Sequence, residues 1–168
     1  MKIENVHSSV YPVSTSELGW VLDTLSSNND LIWPTELWPA MKFKNGLVIG
    51  SSGGHSPIRY SVEKYIPEKL VVFRFLSPSG FEGTHSFEVE SRGDKEAQLT
   101  HRIAMNAVGT AKFSWPVIIR PLHDALLEDC LAKVSVSLGL EPKKLEWSNW
   151  VKFLRWSMSG GRARDKSL

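Results

Sequence analysis

The chain of 168 residues is 42% hydrophobic with a formal net charge of +2, which fits one globular domain able to bury a core without disulfides or metals. So small a charge excludes nucleic-acid binding driven by bulk electrostatics, and no nucleic-acid partner is expected. The single cysteine, Cys130, excludes an intrachain disulfide framework and a multi-cysteine zinc site and suits a reducing compartment. The start Met1-Lys2-Ile3-Glu4-Asn5 lacks an apolar signal region, and no apolar run reaches the roughly twenty residues of a membrane span, so a cytoplasmic protein is the simplest expectation.

In chain order, Ile3, Val6, Val10, Tyr11 and Val13 suggest a first strand over Lys2 to Val13. Ser14 followed by Glu17 has the pattern of a capping box. Leu18, Val21, Leu22 and Leu25 then recur at helical spacing until Asn28-Asn29-Asp30. The pairs Trp33-Pro34 and Trp38-Pro39 read as a cluster of turns, because each proline pushes its predecessor out of helical geometry. A β-meander follows, with runs over Gly46 to Gly50, Ile58 to Ile66, Leu70 to Leu76, Gly83 to Glu90 and Gln98 to Ala107. Turn signals at Gly53-Gly54, Pro67-Glu68, Ser77 to Gly80 and Arg92-Gly93-Asp94 separate them and argue for an antiparallel sheet. The run Gly50 to Ser56 has no phosphate-loop lysine and reads as a flexible connection, with His55 at the entrance of any cavity it gates.

From Trp115 to Leu138 the period becomes helical, with Ile119, His123, Leu127, Cys130, Leu131, Val134 and Leu138 in one stripe. Pro121 is expected to kink or begin its regular part. The last stretch places Trp147, Trp150, Val151, Leu154 and Met158 at helical spacing and ends at Gly160-Gly161. The organisation expected is a ligand-binding domain over 1–139 and an amphipathic extension over 140–168 with a disordered end.

Strand, helix, turns, five strands and a long helix in this order resemble the helix-grip architecture of the START-like superfamily, also called SRPBCC or polyketide cyclase/dehydratase-like. The resemblance is carried by the two Trp-Pro turns, by Gly46-Leu47-Val48-Ile49-Gly50, and by Tyr60 to Pro67. The strands Val71 to Leu76 and Gly83 to Phe87 also carry it. It implies an α+β fold in which a curved antiparallel sheet wraps a long C-terminal helix around a cavity. It further implies a small, mostly hydrophobic ligand, cyclase- or dehydratase-type chemistry, or assistance to a partner protein.

Residues two apart on a strand share a face. His85 therefore sits with Phe87 and Val89, and His101 with Leu99, Ile103 and Met105, while His123 lies on the apolar helix stripe. These imidazoles either converge to orient a ligand, move a proton or, as the least favoured alternative, bind a metal through three nitrogens, or are separate core histidines satisfied locally. No pair has short metal-ligand spacing, so no metal and no cofactor are expected. Tyr60 shares a face with Ile58 and Val62. Arg74 shares one with Val72 and Leu76, which would allow it to hold a ligand carboxylate; the alternative is a solvated outer arginine. The pairs Arg120/Asp124 and Asp129/Lys133, each four apart, read as exposed ion pairs. The expected function is binding of a small hydrophobic molecule, the alternatives being an enzyme using the histidines or a module acting through its tail. That tail, with Trp147, Trp150 and Leu154, is expected to contact a membrane surface, a second protein or the domain itself.

Overall fold

A computed structural model describes residues 1–55, 57–143 and 146–160 of the chain. Its elements are β1 (Lys2–Tyr11), α1 (Thr15–Asp23), β2 (Lys42–Leu47), β3 (Ser52–His55), β4 (Ile58–Ile66), β5 (Leu70–Ser77), β6 (Phe81–Gly93) and β7 (Glu96–Ala107). A short helix α2 (Ala111–Ser114), a π-helical turn (Trp115–Ile119), the long α3 (Arg120–Ser137) and α4 (Asn149–Met158) follow. The strands form one antiparallel sheet in the order β1-β7-β6-β5-β4-β3-β2, so the first strand closes on the last. Register shifts at Arg59/Tyr60 and Val62/Lys64 of β4 supply the local bends that a curved sheet needs. The result is the expected α+β helix-grip arrangement.

Helix α1 starts as its capping box dictates. The Ser14 hydroxyl accepts from the Glu17 amide, and the Glu17 carboxylate accepts from the Ser14 amide. Its Gly19 lies against the turn between β4 and β5, where a Cβ would stand 2.3 Å from the Glu68 carbonyl. Only glycine allows that approach.

One sequence expectation changes and another is met. The glycine-rich run is not a loose connection, because Ser52–His55 pairs with β4 and, through Gly53 and Gly54, with Phe43 and Lys42 of β2. A Cβ on Gly53 would meet the Lys42 carbonyl at 2.1 Å, so this glycine serves close strand pairing, not flexibility. The long helix, in turn, does not begin regularly. Pro121 has no N–H to give the carbonyl four residues earlier, and that carbonyl, on Val117, accepts instead from the Trp150 indole at 2.7 Å. The broken ladder and the π-helical turn thus sit where α4 docks.

The hinge of the packing is Asp129, a buried carboxylate on α3. Its Oδ2 accepts from the indole of Trp38 at 2.9 Å and from that of Trp147 at 2.8 Å. Arg155 of α4 stacks over both indoles, 4.0 and 4.2 Å from their centroids, and donates to the Leu37 carbonyl at 2.5 Å. The exposed Asp129/Lys133 pair expected from spacing is therefore replaced. Lys133 turns to the Trp33 carbonyl and to Glu36.

Helix α4 buries Val151 and Leu154, with Trp147 just before it, and leaves Trp150, Phe153 and Trp156 exposed. Of the stripe read from the sequence, Trp147, Val151 and Leu154 face the protein while Trp150 and Met158 are exposed, so Trp147 and Leu154 are not free for a membrane. The expected disordered end, 161–168, lies outside the described residues.

Removing the carboxylate leaves two buried indole N–H groups without an acceptor, at about 1–3 kcal/mol each. Asp129→Ala is expected to lose roughly 2–5 kcal/mol of stability, and Trp147→Phe, which removes one donor and keeps the ring, clearly less. Urea denaturation of the three proteins checks this order.

Candidate functional site

Between the sheet and α3 lies a cavity of about 130 Å³. Phe75, Phe81 and Ile103 line it from the sheet, Trp115, Ile119, Leu122 and Leu126 from the helical side, and Trp38, Pro39 and Met158 from the segments that Asp129 and Arg155 hold. It falls between the main hydrophobic core and a smaller one around Phe81, Ile103, Met105 and Trp115. Its hydroxyl and imidazole nitrogens come from His55, Tyr60, His85 and His123, and among the described residues no Lys, Arg, Asp or Glu lines it.

The five histidines of the chain form a chain of contacts across this interior. His55 Nε2 is 2.8 Å from the Tyr60 hydroxyl, and the Tyr60 ring lies 4.3 Å from that of His85. His85 Nδ1 is 3.2 Å from His101 Nε2, the His101 and His123 rings are 5.0 Å apart, and those of His123 and His7 5.9 Å. His7 ends the row between two carboxylates of α3, with Nε2 3.0 Å from Asp124 and Nδ1 2.9 Å from Glu128.

Of the residues singled out from the sequence, Tyr60, His85 and His123 line the cavity, and His101 stands behind His85, in contact with it but not among the lining residues. Arg74 is not there. Its side chain is exposed and donates to Glu63 at 2.9 Å. The larger apolar set on β5 is Val71, Phe73 and Phe75, and it takes the inner face, turning Val72, Arg74 and Leu76 outward.

His7 is not singled out by the sequence, because the β-branched and aromatic residues that mark β1 as a strand do not assign its faces; two of them are Val6 and Val10. Both are exposed. The inward parity is that of Ile3, Asn5, His7, Ser9 and Tyr11, mostly polar, and the one available signal was that Ile3 and Tyr11, the two ends of the strand, share it.

Burial decides the charge of the row. It pushes His55 down to about 4 and holds His85 and His101 well below the ordinary histidine range, with neighbouring His123 adding to the effect. His123 is likewise lowered by burial, although Asp124 opposes this. Burial also opposes charge on His7, but hydrogen bonds to Asp124 and Glu128 outweigh it and raise its pKa. The cavity is therefore lined by neutral imidazoles and a neutral phenol, and the charged form of a histidine is favoured only at His7, the far end of the row.

Neutral imidazoles leave the His85–His101 contact with one proton to share. Whichever ring donates, one of the two outer nitrogens, His85 Nε2 and His101 Nδ1, is a donor and the other an acceptor, and both are buried without a partner.

No protein-family model and no curated protein matches the sequence. Solved structures do. The chain is similar to CalU16 from Micromonospora echinospora, at 9% identity over 95% of this chain and 88% of that one, with a TM-score of 0.60. It is similar to norcoclaurine synthase from Thalictrum flavum, at 14% identity over 82% and 95%, with a TM-score of 0.58. A protein of Thermobifida fusca solved by NMR gives 13% identity over 85% and 98%, with a TM-score of 0.62.

The neutral histidines tie stability to pH. On unfolding, His55, His85 and His101 return to a pKa near 6.5 and bind protons that the folded chain refuses. Stability is therefore expected to fall as the pH drops below about 6.5 toward their depressed folded values, by roughly 1.4 kcal/mol per pH unit for each such group. His7 has the opposite sign, its contribution being full below 6.5 and lost as the pH rises through its raised value. Urea unfolding at pH 7 and pH 5 measures the slope, and His101→Leu is expected to reduce it by one group's share.

Proposed function

We propose, on the premise that this chain has the helix-grip fold of the START-like group, that it binds one small, uncharged, mostly apolar molecule between its sheet and α3. The observation that carries the reading is the lining itself: apolar walls interrupted by uncharged polar groups, His55, Tyr60, His85 and His123. A carboxylate or ammonium placed there would lose its hydration without meeting an opposite charge, which costs several kcal/mol. A neutral ring keeps the hydrophobic gain and finds hydroxyl and imidazole partners. A dry cavity of about 150 Å³ accepts benzene, so the size here fits a single ring bearing one polar group.

A second reading is favoured by the His55–Tyr60 hydrogen bond at the cavity wall. A hydroxyl held by a neutral imidazole can pass a proton to or from a bound molecule, the arrangement that acid–base catalysis uses. On that reading Tyr60→Phe abolishes turnover while probe affinity stays within about threefold. The contact of the C-terminal segment with a membrane or a second protein, expected from its composition, has the outer row Trp150, Phe153 and Trp156 to use.

Phenol is expected to raise the melting temperature and shift the ring protons of Tyr60 and Phe75 in NMR spectra, whereas benzoate at equal concentration does neither. Ile119→Trp, which fills the cavity from its helical wall, is expected to abolish both effects with the fold retained. Equal binding of benzoate and phenol would contradict the uncharged-ligand reading.

A further inference from the structure

At the far end of the imidazole row, sharing only His123 with the cavity lining, three metal-ligating side chains converge. They are His7 of β1 and His123 and Asp124 of α3, and one nitrogen or oxygen of each lies within 4.8 Å of the others. Asp124 Oδ1 stands 3.0 Å from His7 Nε2 and 3.7 Å from His123 Nδ1. Two ligand atoms each about 2.0–2.1 Å from a tetrahedral ion stand about 3.3 Å apart. The two observed separations from Asp124 straddle that value, and the remaining one, between the histidines, is within 4.8 Å.

The surroundings are those of a site. His123 Nδ1 is buried and has no hydrogen-bond partner. Asn5 donates through Nδ2 to Asp124 Oδ1 at 2.9 Å, which fixes its amide orientation, and its own Oδ1 is also buried without a partner. Arg120 takes the other carboxylate oxygen, Oδ2, at 3.4 Å and leaves Oδ1 directed at the two histidines. His7 Nδ1 lies 2.9 Å from Glu128, the carboxylate–histidine pairing that orients metal-bound imidazoles.

We propose that His7 Nε2, His123 Nδ1 and Asp124 Oδ1 bind one divalent transition ion of the zinc class, with Glu128 as the positioning residue for His7. With Nε2 facing the ion, Nδ1 keeps its hydrogen bond to Glu128. Nitrogen and carboxylate ligands without thiolate suit zinc, cobalt or nickel and disfavour magnesium and calcium, which require more oxygens. Three protein ligands leave a fourth position for water, and Asn5 Oδ1 is an acceptor for it. The sequence pointed to no metal because the ligands stand more than a hundred residues apart, on the first strand and the last long helix; their neighbourhood exists only once β1 pairs with β7.

Cobalt(II) and zinc(II) chloride titrated into the full chain at pH 7.5 provide the test. The expected result is one ion per chain, a visible cobalt spectrum of four-coordinate intensity, and an increase in melting temperature. His7→Gln and Asp124→Asn are expected to lose at least a hundredfold in affinity, and Glu128→Gln, which leaves all three ligands in place, about 10–100-fold. His55→Gln serves as the control histidine and is expected to bind as the unaltered chain does. Should His7→Gln fail to fold, Glu128→Gln carries the comparison. Absence of a bound ion, or an affinity unchanged in both His7→Gln and Glu128→Gln, would show instead a plain imidazolium held between two carboxylates and overturn the proposal. Phenol binding is read separately, so failure of the metal site leaves the cavity reading standing.

Discussion

The carboxylate of Asp129 is the point on which the arrangement of this molecule turns. It sits on the buried face of α3 and binds two indoles that come from opposite directions, one from the turns after α1 and one from the segment after α3. Trp38 and Pro39 are cavity walls, and so is Met158 at the end of α4. A single buried anion, with the Arg155 guanidinium stacked over both rings, thus holds the side of the cavity that neither sheet nor α3 provides. Burying such a charge is costly unless its hydrogen bonds are made. Here they are made by segments that would otherwise have little reason to lie on the domain.

The same helix meets the sheet through imidazoles. A core filled with leucine and phenylalanine alone would be simpler to stabilise, since each buried nitrogen without a partner costs about 1–3 kcal/mol. The chain instead places His85, His101 and His123 across the middle of the interior and keeps them neutral by burial. It concentrates charge at one end of the row, where His7 meets Asp124 and Glu128. Neutral polarity inside and paired charge at the rim divide the row into two environments, one suited to an uncharged organic molecule and one to a cation.

Much of this was legible from local pattern. The capping box of α1, the bounds of β4, the inward faces of His85 and His101 and the stripe of α3 follow from spacing, because burial of one face imposes period 2 or 3.6 on side chains that need no distant partner. What was not legible depends on partners far along the chain. On β1 the apolar residues Val6 and Val10 face out, because α3 presents Asp124 and Glu128 to the inner face, and carboxylates call for Asn5 and His7. Asp129 reads as a surface acid until two tryptophans close over it. Arg74 misled for a simpler reason: both faces of β5 are apolar, and the bulkier one won.

One consequence of the His85–His101 contact concerns selectivity. A fixed donor recognises an acceptor and rejects a second donor, since like groups cannot pair. Two neutral imidazoles exchange these roles when both change tautomer together, the shared proton crossing between the rings while one outer nitrogen gives up a proton and the other takes one up, with no heavy atom displaced. An alcohol, a ketone and an amine of the same shape would then meet nearly the same welcome at His85. Such a wall grades its guests by outline and leaves the choice among functional groups to the single fixed hydroxyl of Tyr60.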